Sequence, residues 1–216
     1  IASGKTLSGG ITVTGGSIRL GKTGTLASTV SMSGGKLEAD ETLTLSGALS
    51  HTADITIDVA GDKIFTYSGT AINVGANTIT LSGGGSLVSG GMTLNDEDSK
   101  LLLNSITLDN ASTSANNSGI DVDANSTVTS FSVGHTTPVS IKANRTLSGS
   151  ITVTAGSIKL GETGTLGSTV TMSGGTLEAD NNLTLSGPLT QSGNITIAVA
   201  ENKTLGYSGA AVNLGA

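Results

Sequence analysis

The chain has 216 residues, of which 32 are Gly, 2 are Pro and none is Cys or Trp, with 12% charged and 2% aromatic residues and a net charge of −6; an ordinary globular domain carries about 25% charged residues and about 7% Gly. Its Lys and Arg are scattered singly, which leaves no basic stripe for nucleic acid, and no run nears the ~18 apolar residues of a membrane span. The lack of Cys excludes a disulfide framework and a thiolate metal site, and 36% evenly spaced hydrophobic residues exclude disorder.

From Lys5 the chain reads as short alternating runs: "TL" ending at Leu7, "ITV" from Ile11 to Val13 and "IRL" from Ile18 to Leu20. Alternation of apolar and polar residues is the strand period, and no window shows helical spacing. Phrases such as "SGG", "TGGS" and "GKTG" separate the runs and mark bends. The set returns 19 positions later, with Leu26 for Leu7, Val30 for Ile11, Met32 for Val13 and Leu37 for Ile18. Followed forward, the leucine of "TL" predicts one column: Leu7, Leu26, Leu45, Phe65, Leu81, Leu101, Val128, Leu147, Leu166, Leu185 and Leu205. The step from Leu101 to Val128 is long and holds "DNASTSANNSG", Asp109 to Gly119. It predicts a polar loop bulging from the wall, with Asp109, Asn110, Ser112, Ser114, Asn116 and Asn117 as candidate partner-binding residues, because insertions in solenoids gather on one face. From Arg145 onward residues 5–76 return as 145–216, 140 positions on, with about two-thirds of the pairs identical.

A fixed period near 20 residues is the signature of a solenoid. The predicted fold is an all-β parallel β-solenoid, one continuous unit over residues 1–216, with about 19 residues per coil and about eleven coils, right-handed being the commoner choice. Its core ladder is Leu7, Ile11, Val13, Ile18, Leu20, Leu26, Val30, Met32 and Leu37, answered in the second copy by Leu147, Ile151 and Val153. Five aliphatic side chains cannot offset the entropy of ordering a whole coil, so each coil holds only when its neighbours cover it and take up its backbone N–H and C=O groups. Repetition is therefore the folding mechanism. Ile1 matches Ile141, and Ala216 stops where the first copy runs on into "NTITLSGGG". The chain is accordingly expected to be an excerpt of a longer tandem array.

The beat, the phrases "TLSG" and "GGSIRLG", the wealth of Gly, Ser and Thr and the lack of Cys resemble the secreted right-handed β-helices of bacterial surface proteins, chiefly filamentous-haemagglutinin-like adhesins and autotransporter passenger domains. That resemblance implies secretion through the outer membrane and a rod that displays binding loops or builds a fibre. The expected function is a structural segment of a long extracellular, cell-surface fibre, without enzymatic activity or cofactor. Its expected partners are neighbouring copies of itself along or beside the fibre and host or surface glycans. A carbohydrate-binding or carbohydrate-cleaving β-helix is the alternative.

Carboxylates recur at Glu38 and Asp40, again at Glu178 and Asp180, and sit two apart at Asp121 and Asp123. Such a pair can do acid–base work on sugars, but a solvated outer face explains it with fewer assumptions, and no catalytic or metal residue is assigned. The run "NDEDSK", Asn95 to Lys100, reads as a polar turn rather than a calcium loop. Thr12 and Thr14, echoed by Ser31 and Ser33 and repeated as Thr152 and Thr154, predict outward hydroxyl ranks that dissolve into "SHT" after Leu49, which places ice binding third. Triplets of the Asn-x-Ser/Thr type at Asn110, Asn125, Asn144, Asn182, Asn194 and Asn202 are expected by chance in this composition.

Overall fold

The computed structural model describes residues 5–210 and Val212. The chain is a parallel β-solenoid of about ten turns of roughly 20 residues, and the described residues contain no helix. Most turns carry three short strands, seen in the second turn as Gly24–Leu26, Thr29–Met32 and Lys36–Ala39. Stacked turns make three faces. The first runs through Thr6–Leu7, Gly24–Leu26, Leu43–Leu45, Ile64–Tyr67 and Ser86–Ser89, and the third is an unbroken ten-stranded sheet. All strand pairings are parallel and most bring like onto like, as in Leu7 on Leu26 on Leu45 and Ile18 on Leu37 on Ile57.

Alternation along each strand sends every second side chain inward. Leu26, Val30, Met32, Leu37 and Ala39 of the second turn are all buried, as are Val13, Leu20, Leu147, Ile151 and Val153. Ile11 and Ile18 are partly buried, whereas Leu7 is 47% exposed because no described coil lies beneath it in the column.

In the middle of the rod the column departs from the predicted one. Leu43 pairs with Phe65, Phe65 with Leu87, Leu87 with Leu108 and Leu108 with Val128, while Leu45 pairs with Tyr67. Leu81 and Leu101 lie on the third face instead, where Leu81 stacks on Ile57 and Leu101 on Ile79. The cause is coil length. The turn from Thr56 to Thr80 is stretched by hydrogen-bonded bends, in which Lys63 N–H donates to Ala60 O at 3.1 Å and Asn77 N–H to Gly75 O at 2.8 Å.

With the register corrected, the long step disappears, and with it the predicted bulge. Thr107–Thr113 is a strand of seven residues, and with Ser126–Val133 and Thr146–Val153, eight residues each, it carries the first face round into the second. A register shift between Val128 and Phe131 marks that corner.

The second face has one break among the described residues: Leu49–His51 pairs only with the strand below it and Ile72–Asn73 only with the strand above. Here the Leu49 N–H donates to the hydroxyl of Tyr67 at 3.2 Å, deep in the wall, and in the second copy the Leu189 N–H does the same to Tyr207 at 3.4 Å. Tyr67→Phe keeps the packing but leaves a buried N–H without a partner, which costs about 1–3 kcal/mol. Urea titration of the variant is expected to show a lowered midpoint with an unchanged slope.

Candidate functional site

The residues able to do chemistry gather on the outward positions of the third face. Over the first coils Arg19, Lys36, Glu38, Asp40 and Asp58 line an open groove of about 420 Å³. Strand register puts them there: Arg19 stacks beside Glu38, and Glu38 beside Asp58, on three successive coils. The Arg19 Nε is 2.5 Å from Asp40 Oδ2 and 3.6 Å from Glu38 Oε2, and the Lys36 Nζ is 2.5 Å from Asp58 Oδ2 and 3.2 Å from Glu38 Oε1. Each carboxylate of the groove thus faces a cation. Arg19 is held above its ordinary range by the hydrogen bond and charge of Asp40 and then by Glu38. Lys36 is raised chiefly by its hydrogen bond to Asp58, against the opposing cost of desolvation, with smaller contributions from Glu38 and from the charge of Asp58.

The second copy keeps this geometry and discards most of the chemistry. Lys159 still pairs with Glu178 at 3.4 Å, but Thr176 stands in place of Lys36 and Ala198 in place of Asp58. Lys36→Thr therefore reproduces a substitution that the fold already holds. It is expected to cost less than about 1 kcal/mol, as exposed ion pairs do, and less still in high salt. Because the folded state raises the Lys36 pKa above 10.5, the contribution of the pair is complete below that pH and is lost as the pH climbs through the raised value. Denaturation curves of wild type and variant should converge only in strong alkali.

Asp121 and Asp123 project outward as predicted but are drawn to different cations, Asp121 to Lys100 at 3.1 Å and Asp123 to Lys142 at 2.7 Å. The acidic run after Asn95 folds on itself: Asp98 N–H donates to Asp96 Oδ1 at 3.0 Å, and Asp96 N–H to Ser99 Oγ at 2.9 Å. Among the described residues no three His, Asp or Glu side chains gather as metal ligands would.

The six residues of the predicted loop are built into the wall and its turn. Asp109, Asn110 and Ser112 lie in the strand Thr107–Thr113, and the Asp109 carboxylate accepts from the N–H and hydroxyl of Ser89 on the coil below. The Ser114 N–H donates to Leu94 O, Asn116 Oδ1 accepts from Thr136 N–H at 3.0 Å, and the Asn117 N–H donates to Thr136 O at 2.7 Å. The asparagines reveal a role that the sequence did not announce. Asn95, Asn116, Asn125 and Asn182 each turn a side-chain carbonyl to a backbone N–H of an adjacent coil, at 2.9–3.0 Å. Three of these, Asn116, Asn125 and Asn182, head Asn-x-Ser/Thr triplets, so at those sites the triplet carries a structural staple.

The hydroxyl rank on the second face also differs from its prediction. Thr12, Ser31 and Ser50 are in register, and beyond the break the rank resumes as Thr93, Ser112, Ser132, Thr152, Thr171 and Thr190. Ser50 donates to Ser31 and Thr190 to Thr171, each at 3.2 Å. No charged residue stands in this rank, whereas the third face carries most of the ion pairs. The buried rings of Phe65, Tyr67 and Phe131 leave the rank without an aromatic platform.

Comparison with known protein families, characterised proteins and solved structures finds no match. The chain's own geometry supplies the assignment: it is a β-helix repeat protein whose outer wall divides into an ionic face and an uncharged hydroxyl face.

Proposed function

We propose that the chain is a structural segment of a long extracellular fibre at a cell surface, a filament, sheath or adhesin stalk, whose partners are further copies of itself along or beside the fibre and glycans at the displayed surface. One observation carries this reading: a rung in this rod is buried only by another coil of the same pattern. Ile57 is fully buried between Leu37 on the coil below and Leu81 on the coil above, and Leu26 between Leu7 and Leu45. A column of this kind accepts further coils, and about ten of them at ~4.8 Å already make a rod on the order of 50 Å long. Ion pairs that satisfy the outward carboxylates suit a load-bearing wall better than a catalytic cleft.

Negative-stain imaging of the native material tests the reading: threads a few nanometres wide are expected, and isolated short particles would overturn it. Incubation with acidic polysaccharides is expected to give no cleavage. The uncharged rank from Thr93 to Thr190 favours a second reading, in which the second face orders water at an ice surface; thermal hysteresis in a freezing droplet would favour it over the fibre.

A further inference from the structure

We infer that His51 is a pH-dependent staple across the break in the second face, tightening the join between two coils when its ring is protonated. No backbone hydrogen bond ties Leu49–His51 to Ile72–Asn73. The Ile72 and Val74 N–H groups turn the other way, to Gly91 O and Thr93 O at 2.9 Å each. The imidazole of His51 spans this gap. Its Nε2 lies 3.0 Å from Asn73 O on the coil above, and its Nδ1 lies 3.2 Å from Ala53 O in its own turn.

Both partners are carbonyl oxygens, which only accept. A neutral imidazole has a single N–H, so it satisfies one carbonyl and points a lone pair at the other. An imidazolium donates to both. The geometry therefore fits the charged ring, and histidine is the side chain whose charge changes in the physiological range.

The surroundings add little charge of their own. In register below His51 is Met32, with Ser31 and Ser50 alongside, and the group above it is the Asn73 carbonyl. The Tyr67 hydroxyl is taken by the Leu49 N–H. The nearest carboxylate along the chain, Asp54, accepts the Thr78 N–H at 2.7 Å. At the corresponding position of the second copy stands Gln191, whose amide does not titrate here. The switch is thus written into one copy only.

Because Gln occupies the same place in the second copy, His51→Gln is compatible with the fold. Unfolding of wild type and His51→Gln is measured at pH 5 and pH 8, so that every group common to the two proteins cancels. The wild type is expected to gain roughly threefold in its folding equilibrium constant relative to the variant on going from pH 8 to pH 5, the worth of one half-exposed charge-assisted hydrogen bond. A pH-independent ratio would overturn the inference. Ring ¹⁵N spectra of the unaltered chain give a second reading that needs no variant: two protonated nitrogens, with the Nε2 proton slow to exchange, are expected at pH 5. A neutral His51 ring at that pH would overturn it equally.

Discussion

Replacing Phe131 by Ala is expected to cost about 3–5 kcal/mol, the range for deleting a buried aromatic ring. Phe131 is 1% exposed and stands in the column between Ala111 below and Ile151 above. A large side chain over a small one fills the rung, so after truncation Ala would face Ala with no neighbour able to move in. The coils on either side are pinned by their own ladders, which prevents collapse into the void. Denaturant titration should show a midpoint lowered by a large fraction of the total stability. The informative control is Phe65→Leu, because the second copy carries Leu205 at that place. That exchange preserves most of the volume between Leu43 and Leu87 and should cost less than about 1.5 kcal/mol. Equal losses in the two variants would show that the columns are not packed as described.

The second large effect is expected at a bend. Gly35 has φ +84°, and a Cβ built there would lie 2.5 Å from the carbonyl oxygen of Gly16 on the coil below. Two penalties coincide. The left-handed backbone costs a residue with a side chain roughly 1–2 kcal/mol, and the clash is with backbone, which cannot swing aside. Gly35→Ala should therefore lose about 3 kcal/mol or force the coils apart. Gly84 separates the two terms, since it has the same φ of +84° with its nearest neighbour, the Gly61 Cα, 3.6 Å from its Cβ position. Gly84→Ala should lose only the conformational part, about 1 kcal/mol. If both variants lose the same, contact between coils at this corner is not what the glycine serves.

The regular coils were legible because their signal is local and repeated. Leu26, Val30, Met32 and Leu37 follow Leu7, Ile11, Val13 and Ile18 at a constant step, and like side chains do stack on one another. Between Phe65 and Val128 the step changes, and Leu81 in its "ITL" run looks as much like a first-face rung as Leu87 does. Only closure of the coil tells them apart, because a strand must lie over the strand one full turn earlier, however many residues the bends consume. The same slip produced a loop from Asp109 to Asn117, where the chain in fact makes a strand and a tight turn. The carboxylates were found with their outward direction, but their cations were not: Lys100 reaches Asp121 and Lys142 reaches Asp123 from neighbouring coils.

That this chain coils, which way its aliphatic side chains point and that no coil stands alone follow from the alternation and the 19-residue beat, which are properties of the chain read along its length. Tertiary structure alone decided who meets whom across coils: Tyr67 with Leu49, His51 with Asn73, Asn125 with Thr146. Those partners lie about one turn apart, and an interval of that size varies with every bend. A polar group one turn away becomes a neighbour only after the backbone ladders have fixed the stacking.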